Sequence, residues 1–340
     1  MNLTLELLRI IGSPFTPLAE SLSLDQKNLL ELYKHSLKNR LSLLFLEAIK
    51  KGGKLDNSSP HYEKEYMKYL KTLNAITRVS QLLTNGKIQH SIYKTIRPYK
   101  FTTVDIDILI FQSRNNFKKA IKILQDAGYK LKGQGPQSTT LQDPKINIRV
   151  DLYREVAVSH IIYLDKQKLS KYTITKLSNG KYIKTLTPEA DLATIVAHSV
   201  IKEHMYVLSE YYTFLYYLPQ INVQNFIKIV RENNITSAAR THAAITAALH
   251  KAAHGIIPNE LKEILNQLGN NTVETTLLIK RNFKMPHKYH KLTIVQSLIE
   301  IAKGEKSRRS MATQLLQMLN PKFTSIVIKG FVNYMTRETY

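Results

Sequence analysis

Two aspartates, Asp105 and Asp107, stand two residues apart in the run Val104-Asp105-Ile106-Asp107-Ile108-Leu109-Ile110. Alternate residues of a strand share a face, so both carboxylates leave the chain on the same side, roughly 7 Å apart at Cα. A second run with the same alternation, Arg149-Val150-Asp151-Leu152-Tyr153, offers Asp151. If the two strands are neighbours, the three acids meet on one sheet face. Carboxylates so close in an apolar setting repel and lose hydration, and therefore require a compensating positive charge. Mg²⁺ supplies it while keeping waters that phosphate oxygens can replace, and Mn²⁺ would suit the same ligands. The chemistry expected of such a trio is in-line displacement at phosphorus with two ions. One ion activates the attacking hydroxyl; the other neutralises the triphosphate and the leaving oxygen. Asp105 and Asp107 would bind both ions, and Asp151 the one that activates the nucleophile. The bland alternative is an exposed sheet face whose acids pair with nearby Lys and Arg.

These acids need a sheet, and the chain around them reads as a small α/β unit. Ile88 to Ile96 has strand character, and Lys100 to Phe111 alternates, with Val104, Ile106, Ile108 and Ile110 on one side. Ser113 is a natural N-cap for a helix carrying Phe117, Ala120, Ile121 and Leu124, which Gly128 ends. Tyr129 to Leu131 forms a short strand, Gly133 to Ser138 reads as a flexible loop, and alternation resumes from Ile146 to Tyr153. The sheet should hold at least three strands. Before it, Leu24 to Ile49 is helix-spaced and stops at Gly52-Gly53, and a loop runs from Leu55 to Pro60. Tyr62, Tyr66, Tyr69, Leu73, Ile76 and Leu83 then make one apolar stripe on a long helix that Asn85-Gly86 ends. That stripe reads as core. Thr187-Pro188-Glu189 opens a helix with Pro at the first helical position. Helices follow over Ala190–Tyr217, Val223–Asn233, Ser237–His254 and Pro258–Leu268, and then three basic ones, with breaks at Gly269-Asn270-Asn271 and Met285-Pro286-His287. The expected fold class is α+β. A helical region over 1–86 and a basic helical bundle over 187–340 would flank a mixed-sheet core over 87–186.

The 340 residues carry 49 Lys+Arg against 26 Asp+Glu, a net charge of +23, with no Cys. Zinc fingers, iron–sulfur ligation, disulfides and a thiolate nucleophile are excluded. With 43% apolar residues a sizeable core is available, so wholesale disorder is excluded too. From Lys280 to Tyr340 there are 12 Lys+Arg and 3 Glu. Such an excess favours a polyanionic partner, because neutralising phosphates releases counterions. The N-terminal run has Glu6 and Arg9 inside its apolar stretch and no basic start, unlike a signal peptide. Nor does any run approach the roughly 20 apolar residues of a membrane span. A cytoplasmic protein without membrane contact is expected. His198 and His204 lie six apart, about 600° of helical rotation, and so read as ordinary histidines rather than a metal pair. No G-x-S-x-G, Walker loop or H-E-x-x-H is present.

Residues 88–220 resemble the nucleotidyltransferase superfamily with the DNA polymerase beta-type fold, and more narrowly the uncharacterised nucleotidyltransferase family of bacteria and archaea. The resemblance rests on Tyr93-Lys94-Thr95, the Asp105–Ile110 run, Asp126-Ala-Gly128-Tyr129, Val150–Tyr153 and the helix from Thr187 to His198. It implies transfer of a nucleoside monophosphate from an NTP to a hydroxyl with release of pyrophosphate. Relatives act on RNA ends, protein hydroxyls or antibiotics; with these basic flanks, RNA and first of all tRNA is the expected acceptor. A toxin of a toxin–antitoxin pair is one role such an enzyme fills. The superfamily places Gly-Gly or Gly-Ser before the acids, where backbone N–H groups hold the triphosphate. Here that stretch is Ile92 to Pro98 and has no glycine, Thr95 standing where Gly is expected. Lys94, the Thr95 hydroxyl and Arg97 are the candidates to hold phosphate instead. The alternative is a catalytically degenerate core that serves as a basic nucleic-acid-binding or scaffold protein.

Overall fold

The computed structural model describes residues 2–16, 26–53 and 59–339, so Leu24 and most of the loop expected after Leu55 lie outside the described residues. The first helices are α1 (Leu3–Ile11), α2 (Gln26–Lys38), α3 (Ser42–Lys51) and the 26-residue α4 (Pro60–Asn85). Asn2 caps α1 by accepting from the backbone N–H groups of Thr4 and Leu5. Next come β1 (His90–Ile92), β2 (Asp105–Ile110), α5 (Arg114–Asp126), β3 (Lys130–Gln134), β4 (Ser138–Gln142) and β5 (Arg149–Tyr153). A hairpin of β6 (Val156–Val158) and β7 (Ile161–Leu164), the short α6 (Lys166–Ser170), and a second hairpin of β8 (Thr173–Ser178) and β9 (Lys181–Leu186) complete the core.

Seven strands form one mixed sheet in the order β3-β4-β5-β2-β1-β9-β8. At its centre β2 runs parallel to β5, with Asp107 opposite Asp151 and Asp105 opposite Arg149. Ile106, Ile108, Ile110, Val150 and Leu152 project to the face covered by α4 and α5, where they meet Ala75, Ile76, Val79, Leu83, Phe117 and Leu124. Tyr93, Leu109 and Tyr153 project to the other face and join the large helical core. The alternation seen in the sequence thus sorts the apolar side chains to one side and the acids to the other.

Several expectations change. The strand expected over Ile88–Ile96 is only His90–Ile92, because the chain turns at Lys94, whose φ of 48° is left-handed. The loop expected from Gly133 to Ser138 is largely strand: Gly133 and Gln134 end β3, Ser138 begins β4, and only residues 135–137 turn. Gly and Ser suggest a turn locally, but pairing with β5 stabilises β4 as an inner strand. The β8–β9 pair is polar and exposed along much of β8, which hides it from a search for alternation.

The C-terminal part begins with α7 (Pro188–Ala197), a π-helical turn (His198–Glu203) and β10 (Met205–Tyr206). It continues with α8 (Leu208–Tyr217), α9 (Val223–Glu232), α10 (Thr236–His254), α11 (Asn259–Leu268) and α12 (Thr272–Lys280). β11 (His287–Lys288), α13 (Lys291–Ile301), α14 (Glu305–Gln317) and α15 (Pro321–Thr336) end the described chain. Four helices, not three, therefore follow α11. Lys306 on α14 bridges Glu155 at 2.8 Å and Asp165 at 3.2 Å, tying the basic end to the β6–β7 hairpin. Among the described residues no helix is long and apolar enough to cross a membrane.

Ile108 is fully buried between the sheet and α4–α5. Ile108→Ala removes its methyl groups and leaves a cavity, which should cost about 2–5 kcal/mol in denaturant unfolding. A loss within 0.5 kcal/mol, the size of a surface change, would mean that this face is not the packed side of the sheet.

Candidate active site

The three acids come together as the alternation requires. Parallel pairing of β2 with β5 sets Asp107 beside Asp151, and Asp105 follows on the same face. All three line one cavity of about 220 Å³. Asp107 is 6% exposed, while Asp105 and Asp151 are half-buried. The Thr140 hydroxyl on β4 donates to Asp151 Oδ1 at 2.5 Å, and the Thr103 hydroxyl lies 3.3 Å from Asp105 Oδ1.

Lys94 points into this group. Its Nζ is 2.8 Å from Asp107 Oδ2, and both side chains are buried. The ammonium also lies 5.0 Å from the ring centroids of both Tyr93 and Tyr153. A left-handed backbone at a lysine is strained, and a buried carboxylate holds it: the Lys94 N–H donates to Asp191 Oδ1 at 2.6 Å. Asp191 Oδ2 accepts from Tyr217 at 2.7 Å. The other oxygen of Asp107, Oδ1, is buried without a hydrogen-bond partner among the described residues.

The carboxylates differ electrostatically. Burial and then the charge of Asp107 raise Asp105 above the usual carboxylate range. Burial raises Asp151 too, and the Thr140 hydrogen bond only partly offsets it. Burial pushes Asp107 the same way, but Lys94 and Lys202 outweigh it and hold this carboxylate low.

The other two expected phosphate ligands separate. The Thr95 hydroxyl donates to Tyr93 O at 3.1 Å and accepts the Asp107 N–H at 2.9 Å, so it bridges the turn to β2 and does not line the cavity. Arg97 does line it, over the Phe101 ring at 5.3 Å, with Nε and Nη1 buried and without a hydrogen-bond partner among the described residues. Lys94 lines it as well, but its ammonium is on Asp107.

Five further contributors were given no site role in the sequence reading. Asp191 orders the Lys94 turn and lies in the first turn of α7, whose start was legible. Lys202, His198 and Glu203 reach the cavity through the π-helical turn. Widening the helix brings residues five apart together, and His198 Nε2 meets Glu203 at 3.2 Å. Burial, with Lys94 and Lys202 nearby, lowers His198 to about 3, so it is neutral. Despite burial, the His198 hydrogen bond and neighbouring cations keep Glu203 ionised. Burial likewise lowers Lys202, whose Nζ is 3.3 Å from the Tyr153 hydroxyl. From the far C-terminal end Arg337 pairs with Glu203 at 3.0 Å. Spacing in a regular α-helix places His198 and Glu203 on different sides, which is why sequence periodicity missed this corner.

Three carboxylates of neighbouring strands thus face one cavity, whose lining also carries Arg40, Lys94, Arg97, Lys202 and Arg337. Residues 102–251 match the model of the family described as uncharacterised nucleotidyltransferase. The resemblance drawn from the motifs therefore holds over the acids, the sheet centre and the helices through most of α10. No curated protein matches the chain. One solved structure, an antigenic nucleotidyltransferase-like protein from Paracoccidioides brasiliensis, aligns at 12% identity over 66% of this chain and 96% of that one. The TM-score of that alignment is 0.29.

A raised carboxyl group favours the folded state when protonated and costs stability once pH exceeds its unfolded value. Asp105→Asn removes that cost, so in chelator at pH 7 the melting temperature should rise by roughly 2 °C. The gain should shrink as pH falls through the range where Asp105 itself protonates. A thermal-melt series in which Asp105→Asn melts lower than the parent at pH 7 would contradict this electrostatic picture.

Proposed function

We propose that the cavity transfers a nucleoside monophosphate from an NTP to a hydroxyl, with RNA as the favoured acceptor and tRNA the first candidate. The observation that carries the reading is the register of β2 with β5, which sets Asp107 against Asp151 and puts Asp105 on the same face.

The donors suit a hard cation. They are carboxylate oxygens on one face, and Asp107 Oδ1 is a buried oxygen without a partner among the described residues. As the side chains stand, the described residues include no group of three or more His, Asp or Glu arranged to hold a metal ion. The Lys94 ammonium occupies the central carboxylate instead. Asp105, Asp107 and Asp151 are the residues that would hold Mg²⁺ as it arrives with the nucleotide. Bound there, Mg²⁺ would supply Lewis-acid neutralisation of phosphate charge.

The protein's own groups fill the other roles. Arg97 offers two buried N–H donors to phosphate oxygens, in place of the glycine backbone that the superfamily uses. Lys202 adds a further cation to the lining. The acceptor oxygen bonds to the α-phosphorus as the bond to the bridging oxygen breaks, and pyrophosphate leaves with that electron pair. The hydroxyl proton passes to Asp151, a carboxylate raised by burial and oriented by Thr140.

One observation favours a second reading. With Lys94 already on Asp107 and no glycine in the turn, the core could bind nucleic acid without catalysis. Incubation with labelled NTPs, Mg²⁺ and total cellular RNA separates the two. Transfer predicts a labelled RNA with the parent protein and none with Asp107→Asn. A parent that never labels RNA or protein, yet binds RNA equally with and without Mg²⁺, would leave only the scaffold reading.

A further inference from the structure

We infer that one face of α4 is the acceptor track: a single-stranded RNA lies along Lys64, Lys68 and Lys71 and delivers its terminal hydroxyl to the carboxylates. The direction of delivery rests on the transfer reading above; the binding surface does not.

The two sides of α4 are used differently. On one side Tyr62 and Tyr66 stack at 5.7 Å and 10°, with Lys50 4.3 Å from the Tyr62 centroid and Lys100 5.2 Å from that of Tyr66. That face is satisfied within the protein. The other carries Lys64, Lys68 and Lys71, all exposed. Spacings of four and three keep them in one stripe about 10 Å long, enough to meet successive phosphates of an extended strand. Among the described residues none of the three ammonium groups pairs with an acid.

The stripe borders a second cavity, of about 550 Å³, which contains no acidic lining residue. Thr103 and Val104 line both this cavity and the one holding the carboxylates, so the two adjoin just before β2. Its floor is apolar: Met67 and Val104 are each 50% exposed, beside Ile146 and Ile148. Exposed apolar side chains between cations suit bases stacked beside a tracked backbone. Asn147 at the same wall offers an amide for a ribose 2′-hydroxyl, the group that separates RNA from DNA. A protein or small-molecule hydroxyl would need no such row of unpaired cations.

The test compares Lys64→Glu/Lys68→Glu/Lys71→Glu with an equal charge change elsewhere, Lys118→Glu/Lys119→Glu/Lys122→Glu on the exposed side of α5. Anisotropy of a fluorescent single-stranded RNA and of the matching DNA is followed against salt. The α4 variant should bind RNA at least about tenfold more weakly, and the slope of log K against log salt should fall by about 2, three contacts at about 0.7 each. The α5 variant should stay within about twofold of the parent, and DNA should bind the parent more weakly than RNA. Equal losses in both variants would assign binding to the overall field and overturn the inference. So would an unchanged α4 variant, a parent that binds no RNA, or equal affinity for DNA. Because binding is read without turnover, a protein that passes this test but labels nothing with NTP refutes the transfer reading alone. Circular dichroism of both variants checks that each is folded.

Discussion

Three carboxylates on one sheet face repel each other wherever water is scarce. Two unit charges about 4 Å apart interact by about 4 kcal/mol at an effective dielectric near 20. That is a large part of the 5–15 kcal/mol by which a typical domain is stable. The fold therefore needs a cation at the acids before any ligand arrives, and Lys94 on Asp107 provides it. Asp107, the most buried of the three, is held ionised, while Asp105 and Asp151 bear the residual strain as raised carboxyls.

Much of the surrounding architecture serves to keep that lysine in place. Its backbone is left-handed, and Asp191 from α7 secures it by accepting the Lys94 N–H. Asp191 is itself held by Tyr217 of α8, so the turn beside the acids is fastened by helices nearly a hundred residues further on. Thr95 completes the link by accepting the Asp107 N–H. The π-helical turn adds Lys202 to the same cavity and orders Glu203 against both His198 and Arg337. Within this balance of charge, Arg97 Nε and Nη1 stay without a hydrogen-bond partner among the described residues.

What the sequence revealed follows from which interactions are local. Alternation around Asp105, Asp107 and Asp151 is a strand property, so the shared face was legible from residue order alone. So was the start of α7, because Thr187 and Pro188 act within one turn. The partner of Asp107 was not legible: Lys94 read as a phosphate ligand because nothing local shows that its turn folds back over β2. The commitment of the Thr95 hydroxyl to backbone across the turn was hidden for the same reason. β4 was hidden because Gly and Ser dominate its approach, and only pairing with β5 makes it a strand. The His198–Glu203 contact depends on a widened helical turn, which no 3.6-residue period reveals.

The central proposal is that these three acids would receive divalent metal once a nucleotide enters. Crystals soaked with Mn²⁺ and a non-hydrolysable NTP, measured for anomalous scattering, test it directly. The account predicts manganese density at Asp105, Asp107 and Asp151, beside the nucleotide phosphates, with Arg97 on a phosphate oxygen. A nucleotide bound elsewhere, or Lys94 still seated on Asp107 with no manganese at the three carboxylates, would contradict it.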